Sequence, residues 1–279
     1  MTADRASVIK FGGELLEDRA SLERVVAALA RITEAGATVI VVHGGGKEID
    51  QALKVAGIEK HQVDGLRVTD VATLDVVVAV LAGAVNTRFV AALTAAGVRA
   101  VGLTGADGRC GLSEVAPAHR SVDGRLVDLG RVGVPSERAD MRLLTTLSAD
   151  GFVPVIACIG VTSGGELLNV NADTFAGHLA AQLKARRLVI AGTTAGVLDD
   201  RGATIATLEP EGVNRVIGAG TATAGMVAKL RACEHALAGG VADVVIVDGR
   251  DGEALEMAAL SEVPKGATRL VSAPLARRS

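Results

Sequence analysis

Short β-branched runs alternate with longer stretches of helical periodicity along almost the whole chain, and this alternation constrains the fold more than any other feature. SVIKF leads to a helical pattern over Leu22 to Ala35, then ATVIVVH leads to another near Glu48 to Ala56. The pattern returns at RAVGL, FVPVIACIG, RLVIAG and DVVIVDG, where the preceding helices end near glycines such as Gly97, Gly151 and Gly240. Strands separated by helices must cross over rather than turn back, so the pattern predicts an α/β fold: a mainly parallel open sheet sandwiched between helices. Residues 108–135 break the rhythm with glycine, proline, serine and isolated strands, which predicts a hairpin excursion near a site.

A chain of 279 residues can bury a large core in one α/β domain or in two sharing an interface. With 49% apolar residues, 22% charged residues and a net charge of −3, the composition is that of an ordinary folded protein. No basic excess, no Trp or Tyr and four Phe leave no stacking platform, so no nucleic-acid partner is expected. The mean hydropathy of +0.39 reflects alanine and valine. The most apolar run, Val76 to Val85, falls far short of the roughly 20 residues of a membrane span. The opening MTADRASVIK lacks the apolar segment of a secretory signal, so the expected location is the cytoplasm, away from membranes. Cys110, Cys158 and Cys233 are odd in number and widely spaced, as buried, incidental thiols would be. The stretch Val71 to Val85 is apolar nearly all round; a central intradomain helix and a helix crossing its copy in a homodimer both satisfy it.

Three glycine-rich elements follow strands: Gly12 and Gly13, the run Gly44, Gly45 and Gly46, and Gly192 through Gly196. Ligands of open α/β sheets sit at the carboxyl ends of strands, so three such elements converge on one crevice where backbone amides can meet an anion. None matches the Walker loop or the dinucleotide fingerprint. Lys10 ends the first strand beside Gly12, where anion binding competes with a lysine snorkelling from a strand end. Lys229 lies near the start of a helix, where an ordinary surface lysine is the alternative. Asp173 precedes TFAGHLAAQL and fits a helix N-cap as readily as a functional carboxylate. Asn169 and Asn171 share one side of an extended segment. Arg67 can grip a carboxylate with two parallel bonds, or pair on the surface with Asp64 or Asp70. No serine, cysteine or histidine arrangement supports a nucleophilic hydrolase.

Together VIKFGG, VVHGGGKEID, DGLRVTD, NTRFVAAL, AVGLTGADG, NVNADTFAGHLAAQL, GMVAKL and GATRLV resemble the amino acid kinase superfamily. GLRVTD and NVNAD resemble its acetylglutamate kinases in particular. The resemblance implies two lobes: residues 1–184 hold an acyl amino acid and the dimer contact, and residues 185–279 hold ATP. It implies that Lys10 and Lys229 approach the migrating phosphoryl group, with Asp173 holding both ammonium groups. Gly45, Gly46, Arg67 and Asn169 would bind N-acetyl-L-glutamate, and Gly12, Gly13 and Gly44 the phosphates. Thr193, Gly196, Val197, Leu198, Thr221 and Thr223 would line the nucleotide pocket, Thr193 standing where the family usually has aspartate. Mg²⁺ would arrive with ATP, held by phosphates and water, with no metal ligand from the chain. A homodimer through residues 71–85 and weak arginine feedback are expected, since arginine-sensitive members carry an extra N-terminal helix and seven residues precede Val8 here. A kinase for a carrier-linked aminoadipate or glutamate, and a catalytically weak sensor, are the competing readings.

Overall fold

The computed structural model describes residues 5–218, 224–260 and 262–272. Eight strands form its central sheet: β1 (Ser7–Phe11), β2 (Val39–His43), β3 (Ala100–Thr104), β4 (Val153–Ala157), β5 (Arg187–Gly192), β6 (Thr207–Leu208), β7 (Asp243–Asp248) and β8 (Thr268–Val271). They lie in the order β6-β8-β7-β5-β1-β2-β4-β3, with all neighbours parallel except β7 and β8. The chain starts in the middle of the sheet, with β2 on one side of β1 and β5 on the other. This reversal of strand order leaves a crevice at the carboxyl ends of β1, β2 and β5. The β1–β5 pairing also carries the sheet without a break across positions 184 and 185.

Alternation along β1 sends Val8 into one apolar layer, and Ile9 and Phe11 into the other. Helices α1 (Arg19–Glu34) and α8 (Gly252–Leu260) pack on the Ile9 face. The Val8 face carries α2 (Gly46–Val55), α5 (Ala172–Gln182) and α7 (Ala224–Ala238). Two further helices, α4 (Arg142–Ala149) and α6 (Pro210–Gly218), complete the cover. Asp18 starts α1 by accepting from the Ser21 amide at 2.9 Å. Within residues 108–135, Ser113–Val115 pairs with Gly133–Pro135 and His119–Arg120 with Leu126–Val127, which is the expected hairpin excursion.

The apolar segment forms a longer helix than its sequence pattern predicts. Helix α3 runs from Val71 to Ala95, 25 residues that include an 18-residue window of mean hydropathy 2.0, long and apolar enough to cross a membrane by length and composition. It is not buried on all sides either. Leu74, Val77, Leu81, Val85, Phe89 and Leu93 face the core, while Ala72, Ala79, Gly83 and Thr87 are exposed on the other side. Asp70 caps its start through the Thr73 amide. A π-helical stretch, Ala79–Val85, shifts the register in its middle. Just beyond it, the Asn86 amide nitrogen meets His43 Nε2 at 3.0 Å and Val155 O at 2.9 Å, tying α3 to the end of β2 and the middle of β4.

Candidate active site

Lys10 shares the face of Val8, so its side chain runs under the sheet toward the first turn of α5. Its Nζ lies 2.9 Å from Asp173 Oδ1, and Lys229 on α7 reaches the same carboxylate at 3.2 and 3.3 Å. All three side chains are buried, with 9%, 11% and 14% of Lys10, Asp173 and Lys229 exposed. Asp173 is not the cap of α5. That role belongs to Asn171, whose Oδ1 accepts from the amides of Asp173 and Thr174 at 3.0 Å. Asp173 therefore keeps its oxygens for the lysines, while the positive end of the helix favours its charge. Burial opposes ionisation of Asp173, yet Lys10 and then Lys229 hold its carboxyl below the usual range. Burial works against the Lys10 ammonium too, but Asp173 outweighs it and the pKa lies above the ordinary value. For Lys229, burial and the repulsion of Lys10 prevail over Asp173, and the pKa falls. Two buried cations on one anion leave a positive excess, suited to an anionic group.

A cavity of about 200 Å³ opens beside this triad, between the glycine run after β2, the hairpin carrying Arg67, and the strand that ends at Asn169. Gly44, Gly45 and Gly46 form one wall. A side chain at Gly45 would strike Leu81 at 2.8 Å, and one at Gly13 would strike Gly45 Cα at 2.6 Å, so glycine is required by this close approach of two loops. His43 ahead of the run is buried and held neutral, its pKa pushed down to about 4 by burial. Gln62–Val63 and Leu66–Arg67 pair through an Asp64-Gly65 turn, both residues at positive φ, and this tight hairpin aims Arg67 inward. The partner of Arg67 is Asp50 on α2, instead of Asp64 or Asp70. Asp64 contacts His119, and Asp70 caps α3. The Arg67 side chain is 8% exposed, and its Nη1 is buried without a hydrogen-bond partner. Asn169 Nδ2 donates to Thr69 Oγ1 at 3.1 Å, which in turn donates to Arg67 O at 2.9 Å. Arg67 lines the cavity, where a guanidinium suits a ligand carboxylate.

The remaining site candidates fall into different settings. The Gly12 amide donates to Ala191 O and the Gly44 amide to Phe11 O, so these two extend the sheet hydrogen bonds and offer close backbone approach more than free donors. Thr193 is exposed just past β5. Gly196 and Val197 are buried: Val197 is in the core, and its amide donates to Thr268 Oγ1 at 2.8 Å. Leu198 lines a separate cavity of about 750 Å³ with Asp199, Thr207 and Arg215. Thr221 and Thr223 lie outside the described residues.

A sequence model of the amino acid kinase family matches residues 5–248. The chain belongs to this family. Among relatives of this amino acid kinase, the acetylglutamate kinase of Rhizorhabdus wittichii is 40% identical over 273 residues, covering 96% of this chain and 90% of its own. That of Symbiobacterium thermophilum is 44% identical over 248 residues, with coverage of 87% and 84%. Of solved structures, an N-acetylglutamate synthase from Neisseria gonorrhoeae, complexed with coenzyme A and N-acetyl-glutamate, superposes with a TM-score of 0.81 at 25% identity. It covers 97% of this chain and 60% of that one. Carbamate kinase from Giardia lamblia shares the fold at a TM-score of 0.67 and 15% identity, covering 98% of this chain and all of that one.

Sequence reasoning passed over Asp50 and Glu14 of this amino acid kinase site, read Cys158 as an incidental thiol, and named Asn171 without its capping role. Asp50 positions Arg67, and Asn171 caps α5 and lines the cavity. Cys158, a buried thiol with its pKa raised to about 12 by burial, lines the cavity as well. Glu14 lies over Gly12, close enough that its carboxylate fills the space of a Cβ there, and its Oε1 is 3.6 Å from the Cβ position of Gly192. The motif NVNAD contains Asn171 and so carried a signal; the others depend on how distant loops meet.

Proposed function

We propose that this enzyme is an acetylglutamate kinase, transferring the γ-phosphoryl group of ATP to the side-chain carboxylate of N-acetyl-L-glutamate in arginine biosynthesis. The observation that carries the reading is the buried Lys10–Asp173–Lys229 triad close to a small cavity that Arg67 and Asn169 help to line. An acceptor carboxylate is ionised at neutral pH, so the reaction needs no general base. The work left to the protein is alignment and neutralisation of charge on the moving phosphoryl oxygens. Lys10 and Lys229 serve that purpose, Asp173 fixing their spacing. Arg67 pairs with the α-carboxylate of the acceptor, Asn169 takes the acyl group, and Gly45 and Gly46 at the start of α2 face the acceptor.

In this reading residues 1–184 hold the acyl amino acid and residues 185–279 hold ATP, transfer taking place across the end of β1. Asp173 is engaged by two ammonium groups, which compete with a cation for its oxygens. Mg²⁺ would come with ATP, held by phosphates and water. When bound, the ion supplies further neutralisation of phosphate charge. The exposed side of α3, with Ala72, Ala79 and Gly83 spaced along it, supports a homodimer in which two copies of this helix cross. A soluble substrate pair supports a cytoplasmic setting.

The test is a purified-enzyme assay with Mg-ATP, N-acetyl-L-glutamate and hydroxylamine, which traps an acyl phosphate as the hydroxamate. Hydroxamate should form with N-acetyl-L-glutamate and hardly at all with free glutamate, which lacks the group that Asn169 is placed to meet. Comparable rates with both would overturn the assignment.

A further inference from the structure

On the far side of α5 from the cavity, Glu137, His178 and His235 bring three potential ligand atoms within 4.8 Å of one another. They come from three elements: the loop after the 113–135 hairpin, α5 and α7. The His178 and His235 rings stack with centroids 5.9 Å apart and planes 15° from parallel. His178 is 3% exposed, with Nδ1 4.0 Å from Glu137 Oε1 and Nε2 buried with no hydrogen-bond partner. Glu137 and His235 are exposed, which leaves the cluster open to solvent. Gln182, one turn along α5 from His178, donates to Glu137 Oε2 and orients that carboxylate. Arg231 lines the same recess but its guanidinium pairs with Glu234 at 2.7 Å.

We propose that Glu137, His178 and His235 form a divalent transition-metal site that ties α5 to α7. Two imidazoles and a carboxylate are a borderline donor set that selects Zn²⁺ over Mg²⁺ or Ca²⁺, and three protein ligands leave one position for water. Metal–ligand bonds of about 2.0–2.2 Å need the three atoms to draw closer, a movement that the exposed side chains of Glu137 and His235 can make by rotation. The two helices so joined are those that carry Asp173 and Lys229.

The test uses the untagged full-length chain, stripped with chelator, titrated calorimetrically with Zn²⁺ and spectroscopically with Co²⁺. Wild type should take up one Zn²⁺ per chain and melt at higher temperature with Zn²⁺ present, since a ligand of the folded state stabilises it by mass action. His235→Ala and Glu137→Gln, both at exposed positions, should bind at least about tenfold more weakly and lose the thermal shift. Uptake unchanged in both variants, a thiolate-to-Co²⁺ charge-transfer band, or no uptake by wild type would each overturn the proposal.

Discussion

Lys10 and Lys229 grip one carboxylate from two unlike mounts. Lys10 projects from the central strand, bonded on both sides by β2 and β5, and its pKa is raised despite burial. Lys229 stands on α7, on a surface of the sheet rather than within it, and its pKa is lowered. The same Asp173 serves both, so the difference lies in surroundings: Lys229 gives more to burial and to the repulsion of Lys10 than Asp173 returns. The strand-mounted lysine is part of how the chain folds, and the helix-mounted lysine carries the charge most easily altered.

The largest effect should come from removing their shared anion. Asp173→Asn leaves two ammonium groups buried side by side, and uncompensating a buried pair costs about 3–5 kcal/mol. Urea denaturation should show a fall in unfolding free energy of that size and a correspondingly lower midpoint, with turnover lost as well. An unchanged midpoint would mean that the triad is solvated and that the contrast between the two mounts is mistaken.

Much of this architecture is legible in the sequence because its signals are local. β-branched runs ending in glycine specify parallel strands and their site-facing ends, and Lys10 and Gly45 declare themselves by standing there. What is hidden depends on distant meetings. Asn171 and Asp173 are both good caps two residues apart, and the hairpin that ends at Asn169 decides which of them begins α5. Arg67 has acids nearby at Asp64 and Asp70, yet the Asp64-Gly65 turn directs it toward Asp50 on another element. The π-helical register of α3, which brings Leu81 against Gly45, leaves no mark in a pattern of alanine and valine. Glu14 sits in the 3₁₀ turn Gly13–Leu15, and only the fold of that turn lays it over Gly12.

A smaller effect separates the lysines without disturbing the fold. Lys229→Ala should lower turnover by about 10²–10³, as loss of one charged transition-state donor does, while shifting the urea midpoint less than Asp173→Asn. The pH dependence sharpens this. Lys229 is charged below its folded pKa, which lies under 10.5, so wild-type turnover should decline as pH rises through that value, while Lys10 keeps its proton. In the same window the folded chain binds fewer protons at Lys229 than the unfolded chain does, so the contribution of this residue to stability grows with pH as turnover falls. Lys229→Arg should move the alkaline limb upward. A limb unchanged in the arginine variant would assign it to another group.

The smallest effect concerns Thr193, at the end of β5, where the comparison extends from the lysines to the two sides of the crevice. Beside the small cavity a buried Arg67 side chain is held by a half-buried Asp50, whereas Thr193 is exposed. A threonine hydroxyl offers one hydrogen bond to a nucleotide, and an aspartate would offer two ionised oxygens. Exposure discounts the gain because water already serves both side chains. Thr193→Asp should therefore improve the apparent ATP constant by about 1 kcal/mol, roughly fivefold, and leave that for N-acetyl-L-glutamate unchanged. Steady-state titration of each substrate against the other at saturation measures this. Weaker ATP binding in the variant would mean that the turn from Gly192 to Gly196 is built around the hydroxyl, with Thr194 or the backbone making the contact. A change in the acceptor constant would mean that the two sides of the crevice are coupled through β1 and β5, and that the acceptor cavity is less independent than its own hydrogen bonds make it.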